Sequence, residues 1–207
     1  MKELEVILFK DFETLDVFGP VEVIGTLENF VEEQIEIEMY SEKDSLTKSK
    51  HGFEVNTNPI SKIESPNILL IPGGDGVRKE IKNETFVDNL MKLAEKANFV
   101  LTVCTGSALL AKTGLIDGKK ATSNKMAFDW VKSQNEKVKW VRKARWVKDG
   151  KFYTSSGVSA GIDMTLGFVK DNFGEEVSKK VSKYIEYEWD EDRENDPFSN
   201  LSSIDKI

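Results

Sequence analysis

The sequence predicts an α/β fold: a mostly parallel sheet covered by helices on both faces, with one β-hairpin added. Short β-branched runs alternate with segments of helical period, the pattern of strands joined by helical crossovers. One run, Asn67 to Pro72, is apolar almost throughout and closes on Pro72-Gly73-Gly74, as expected of a central strand buried on both sides. The 207 residues are 39% hydrophobic and 31% charged with only 14 Gly and 5 Pro, which describes a soluble globule around one core.

The first strand is expected over Leu4 to Phe9. Ile35 to Tyr40 alternates apolar and polar positions, suiting a strand with one wet face near a sheet edge. Asn67 to Pro72 follows, and then Phe99 to Cys104, a strand ending at the cysteine. Thr105 to Ala111 continues in helical pattern, so Cys104 falls at a strand-to-helix junction. Phe86, Leu90, Leu93, Ala94 and Ala97 recur at helical spacing and form one apolar stripe. Trp140 to Val147 and Lys151 to Ser155 flank Lys148-Asp149-Gly150, and the Asp-Gly pair predicts a hairpin with positive φ at both central residues. Ser159 is placed to cap a helix carrying Ile162, Leu166, Val169 and Phe173. A last helix, marked by Val177, Val181, Tyr184 and Ile185, follows Gly174. One domain is expected over residues 1–190, with an acidic, solvated tail over 191–207 in which Pro197-Phe198 folds back.

Composition excludes several functions. A net charge of -7 argues against a protein that grips phosphate backbones. No apolar stretch is long enough to span a bilayer, and no secretory signal pattern opens the sequence. A reducing cytoplasm is therefore expected. One Cys and one His cannot supply a structural zinc site, and no EF-hand or phosphate loop is present, so neither metal nor other cofactor is expected.

An isolated cysteine is by default a small buried hydrophobe. Cys104, however, sits where open parallel sheets bind ligands, at the carboxyl ends of the strands. A helix start just beyond it favours thiolate over thiol, and Gly106 leaves room for a sharp turn of nucleophile-elbow type. Asp16, just past the first strand and flanked by Leu15, Val17 and Phe18, should reach the same edge with a raised pKa suited to proton transfer. A helix cap ahead of Pro20 explains Asp16 equally well. Gly73 and Gly74 allow backbone N–H groups to approach an oxyanion, although a plain glycine turn fits the same pattern. The single His51 precedes a predicted strand far from these loops and reads as a solvated turn residue.

Together, Asp16 to Pro20, Ile71 to Gly74, Val103 to Ser107, Leu115 to Thr122 and Gly157 to Asp163 resemble the DJ-1/PfpI superfamily over about residues 4–190. Thr105 after the cysteine, Asp rather than Glu at position 16, and Pro197-Phe198 resemble its isocyanide hydratase branch. The resemblance implies a flavodoxin-like three-layer sandwich, a homodimer and a small-molecule substrate. It further implies Cys104 as nucleophile and Asp16 as general acid/base, with Thr105, Gly73, Gly74 and Gly106 near the reacting atoms, converting an isocyanide to an N-substituted formamide. Ser123-Asn124-Lys125 departs from the branch at a position expected to line the pocket. With no His beside the cysteine, a protease or amidotransferase is disfavoured. The alternatives are a redox or electrophile sensor without turnover, carbonyl chemistry on methylglyoxal-like compounds, and a regulator's ligand-binding domain, for which a chain ending at Ile207 leaves no room.

Overall fold

The computed structural model describes residues 2–43 and 45–202. Its strands are β1 (Lys2–Ile7), β2 (Ile35–Ser41), β3 (Ser45–Lys48), β4 (Glu54–Pro59), β5 (Ile68–Ile71), β6 (Phe99–Thr102), β7 (Lys120–Ala121), β8 (Lys139–Trp140), β9 (Trp146–Asp149) and β10 (Phe152–Ser155). Its helices are α1 (Thr14–Thr26), α2 (Val77–Glu80), α3 (Glu84–Lys96), α4 (Gly106–Lys112), α5 (Phe128–Gln134), α6 (Ala160–Phe173) and α7 (Glu175–Tyr184). Eight strands form one sheet in the order β3-β4-β2-β1-β5-β6-β10-β9, and β7 pairs separately with β8. The run from β4 to β10 is parallel, with antiparallel β3 and β9 at the two edges. Helices α1, α6 and α7 pack together as one layer and α2 to α5 as the other.

Local sequence explains these elements. All four residues of β5 are buried, as its unbroken apolar run requires of a strand between two helical layers. Asn83 caps α3 by accepting the Phe86 amide at 3.2 Å, and Phe86, Leu90, Leu93 and Ala94 face the core. Four loops leave the carboxyl ends of the parallel strands β1, β5, β6 and β10 side by side, where such sheets place their ligands. Among the described residues no helix is long and apolar enough to cross a membrane.

Several expectations are corrected. Strand β2 lies inside the sheet, but β4 pairs with it only at Tyr40 and Ser41, so its earlier residues keep the half-exposed pattern that reads as an edge. Trp140 belongs to β8, and the hairpin's first arm is only Trp146–Asp149. Asp149 pairs with Phe152, which makes Gly150 and Lys151 the turn; Gly150 alone has positive φ, the glycine placement of a type II′ turn. Ser159 stands at the N-cap of α6, yet its hydroxyl makes no capping bond.

The acidic tail keeps Glu191 to Asn195 exposed, as expected, but the segment from Tyr187 is anchored to the domain and Asp196 is buried. Tyr187 Oη and the Asp190 amide donate to Asp163 Oδ1, Trp189 Nε1 donates to the Asp163 carbonyl, and Arg193 accepts the Arg145 amide. Asp196 is fully buried between Lys125 Nζ at 3.5 Å and Arg145 Nη1 at 3.6 Å. Arg145 in turn forks onto Asp163 Oδ2 at 2.9 and 2.6 Å. Two buried cations thus face two buried anions, and removing one partner strands the others without water. Asp196→Ala is expected to destabilise the fold by about 3 kcal/mol in urea unfolding; a change within about 0.5 kcal/mol, the range of an ordinary surface substitution, would show that the pairing carries no such weight.

Candidate active site

Strand β6 ends at Thr102, two residues before the sequence pattern suggested, and Cys104 lies beyond it in the turn to α4. Its φ is +57°, a conformation uncommon for any residue but glycine and sparsely used outside functional turns. Several bonds hold it there. The Cys104 amide donates to Ser156 O at 3.0 Å, and the Cys104 carbonyl accepts from Ser123 Oγ at 2.8 Å and Ser107 Oγ at 3.1 Å. Ser156 donates its own amide to Arg145 O at 2.8 Å, which ties the turn to the buried ion network. A second positive φ, +45° at the β-branched Val158, falls after β10 and brings that residue's amide to the Cys104 sulfur.

Asp16 is the third residue of α1, with Glu13 at the N-cap, so the helix-cap reading of Asp16 does not hold. The residue is wholly buried, and its Oδ2 accepts the Gly73 amide at 2.9 Å. Its Oδ1 is buried without a hydrogen-bond partner, while the Cys104 thiol bears directly on the carboxyl group. Burial, reinforced by the Glu13 charge, pushes the Asp16 carboxyl up to about 8, against the Gly73 amide, the Cys104 thiol and Lys50. The expected neighbours, carboxyl and thiol, are therefore in place.

The expected resting thiolate is not. Cys104 is only 6% exposed, and burial, followed by the Asp16 charge, pushes its thiol well above the ordinary range. The Thr105 and Val158 amides and the Thr105 hydroxyl pull the other way but do not prevail. Burial is the largest of these influences.

The glycines act by absence of side chain. A Cβ on Gly73 would stand 2.6 Å from Thr105 N and 2.9 Å from Asp16 Oδ2, and one on Gly106 would stand 2.4 Å from Ile71 O. The Gly73, Gly74 and Gly106 amides are already committed to Asp16, Thr105 Oγ1 and Val103 O. They build the site rather than offer free donors to an oxyanion. The amides that do reach the reactive atom are those of Thr105 and Val158.

Other expectations also shift. His51 is not remote: its Nδ1 lies 2.9 Å from Thr14 Oγ1 and 3.5 Å from Glu13 Oε1, at the start of the helix that carries Asp16. Asn124 packs against Gly157, and Lys125 is buried among Thr122, Ser123, Ala144 and Asp196 rather than lining a pocket. Ser156 escaped the sequence reading, Ser123 entered it only as part of a segment near the pocket, and nothing in a single chain signals the positive φ at Val158. Among the described residues no group of three or more His, Cys, Asp or Glu could hold a metal ion.

A carboxyl that stays protonated to about pH 8 in the native state, but ionises near pH 4 when unfolded, favours folding fully below pH 4 and loses that contribution as pH rises to about 8. Asp16→Asn removes the titration. Its melting temperature relative to the parent is expected to be at least about 2–4 °C higher near pH 8 than near pH 4, equivalent to about 1 kcal/mol for a chain of this size. An offset that does not change with pH would contradict the shift.

Comparison with known proteins agrees with this geometry. The chain is 27% identical over 186 residues to the isonitrile hydratase of Pseudomonas putida, spanning 89% of this chain and 78% of that protein. It is 30% identical over 143 residues to a deglycase of Thermococcus kodakarensis, spanning 68% and 84%. In fold it matches a ThiJ/PfpI family protein from Pseudomonas syringae with a TM-score of 0.81 at 23% identity, covering 91% of this chain and 76% of that one. It also matches Drosophila melanogaster DJ-1beta with a TM-score of 0.77 at 20% identity, covering 91% and 99%. Residues 2–171 match the DJ-1/PfpI family as a whole, and the chain belongs to that family.

Proposed function

We propose that the protein is a cofactor-free hydratase that uses Cys104 to add water to a small electrophile, with an isocyanide as substrate and an N-substituted formamide as product. The observation that carries this reading is the fully buried Asp16 carboxyl beside the Cys104 thiol, where burial raises its pKa to about 8, with His51, the single histidine, bonded to Thr14 instead of to either group. Peptide and glutamine chemistry needs a base to take the thiol proton and an acid to deliver it to a leaving amine. Addition of a thiol to an isocyanide expels no group, and it starts and ends neutral.

The steps balance on these residues. The sulfur bonds to the terminal isocyanide carbon while its proton passes to Asp16, and the Asp16 proton passes to that carbon, giving a neutral thioimidate. Asp16 then draws a proton from an attacking water and returns one to nitrogen, so that the carbon bears oxygen, sulfur and an N–H. Breaking the C–S bond releases the formamide and restores the thiol. The Thr105 and Val158 amides steady negative charge as it passes through the sulfur. A rod-like –N≡C group also suits a sulfur as covered as this one, since it needs little room at its tip.

The similarity to isonitrile hydratase supports this substrate, and the similarity to deglycases makes glyoxal-type carbonyls the comparison to run. The homodimer belongs to the same proposal. Leu15 and Phe18, 40% and 38% exposed on either side of Asp16, supply apolar surface for a second copy.

Incubation with an aryl isocyanide is expected to yield the formamide. Cys104→Ala and Cys104→Ser should abolish turnover, and Asp16→Asn should lower kcat by about 10²–10⁴-fold with the fold intact. Full activity in Cys104→Ala, or turnover of methylglyoxal but not of isocyanide, would overturn the assignment.

A further inference from the structure

We propose that the cleft over the early residues of β1 and β2, whose lining shares no residue with the Cys104 site, binds an extended organic polycation, an alkyl polyamine whose ammonium groups are spaced along its chain. The register of β1 on β2 sets Glu3 beside Glu36 and Glu5 beside Glu38, so four carboxylates share one face of two neighbouring strands. Like charges placed directly opposite one another destabilise a sheet. Here they line a cleft of about 390 Å³ closed by Tyr40 and by the segment around Lys62.

The Glu5 carboxyl, in the cleft lining, meets only backbone amides, its own and that of Asn67, and one of its oxygens lacks a donor. Glu5 is 5% exposed, and its Oε2 is buried without a hydrogen-bond partner. Asn67 Oδ1, on the residue whose backbone amide faces the Glu5 carboxyl, is a second buried acceptor without a donor. Burial and the neighbouring Glu3 charge push the Glu5 carboxyl up to about 7, as expected of a carboxylate that misses its counter-ion. Glu38 is engaged by Tyr40 Oη. The cation at the rim, Lys62, donates to Asn58 Oδ1 at 3.2 Å rather than to these carboxylates.

Spacing selects the class of ligand. The backbone positions that carry these carboxylates stand roughly 4.8 Å apart across the strands and roughly 6.7 Å apart along them, as sheet geometry dictates. Among the described residues no group of three or more such side chains converges to hold a metal ion. A single small cation would satisfy one corner of the array. A linear polyamine would seat one ammonium at Glu5 and the next at the exposed pair Glu3 and Glu36, with its methylenes crossing between them.

Isothermal titration calorimetry with spermidine, and with Mg²⁺ in parallel, tests the assignment. Saturable binding of one spermidine per chain is expected, at least tenfold weaker in Glu5→Gln and several-fold weaker in Glu36→Gln. Glu176→Gln, on the far helix α7, should bind as the parent does, which separates the cleft from the general attraction of an acidic protein. Glu36 is exposed, so its variant keeps the test decisive should Glu5→Gln fail to fold. Non-saturable binding, equal weakening by Glu176→Gln, or Mg²⁺ binding that displaces spermidine at equal concentration would overturn it.

Discussion

The Asp16 carboxyl and the Cys104 sulfur meet in a space with almost no water, and that meeting constrains much of the carboxyl edge of the sheet. Two acidic groups so placed oppose each other's ionisation, so burial and the shared charge raise both pKa values. Crowding around the contact leaves no room for a side chain at positions 73 or 106. Among the described residues the Asp16 carboxyl accepts the Gly73 amide at Oδ2, while Oδ1 is buried without a partner. A preorganised acid beside a covered thiol favours addition chemistry, in which a proton follows the forming bond, over chemistry that needs a free thiolate and a leaving group.

Support for that contact extends well beyond the two residues. Cys104 keeps its left-handed backbone because Ser123, Ser107 and Ser156 saturate its peptide groups. Ser156 leans on Arg145, and Arg145 and Lys125 are neutralised by Asp163 and Asp196. The residues after α7 are thereby part of the site's foundation. Their acidity is not a solvation device at position 196, where the carboxylate is buried and answers two cations. Burial pulls Lys125 down to about 8, with Asp196 holding its charge in place, a balance that only a close partner can sustain.

Legibility in the sequence followed the range of the forces involved. Periodicity is local, so the apolar run of β5, the stripe of α3 and the strand-to-helix placement of Cys104 were readable. Asp16 was readable as a residue just past the first strand, because topology alone sends that loop to the ligand edge. What failed was set by distant partners. Asp196 was not distinguished from the exposed acids before it because its pairing with Lys125 and Arg145 spans more than 50 residues, and Lys125 looked like a pocket residue for the same reason. The thiolate expectation erred by counting the helix start and the backbone amides without the desolvation that opposes them. Val158 could not have been chosen, since its role lies in an amide and a dihedral angle rather than in its side chain.

Whether Asp16 carries a proton at neutral pH against the sulfur is read by difference infrared spectroscopy of the parent minus Asp16→Asn as pH is raised. The account predicts a carboxylic-acid carbonyl band that persists through neutrality and is replaced by carboxylate bands near pH 8. Carboxylate bands already complete at about pH 5, close to the range of an ordinary aspartate, would contradict it.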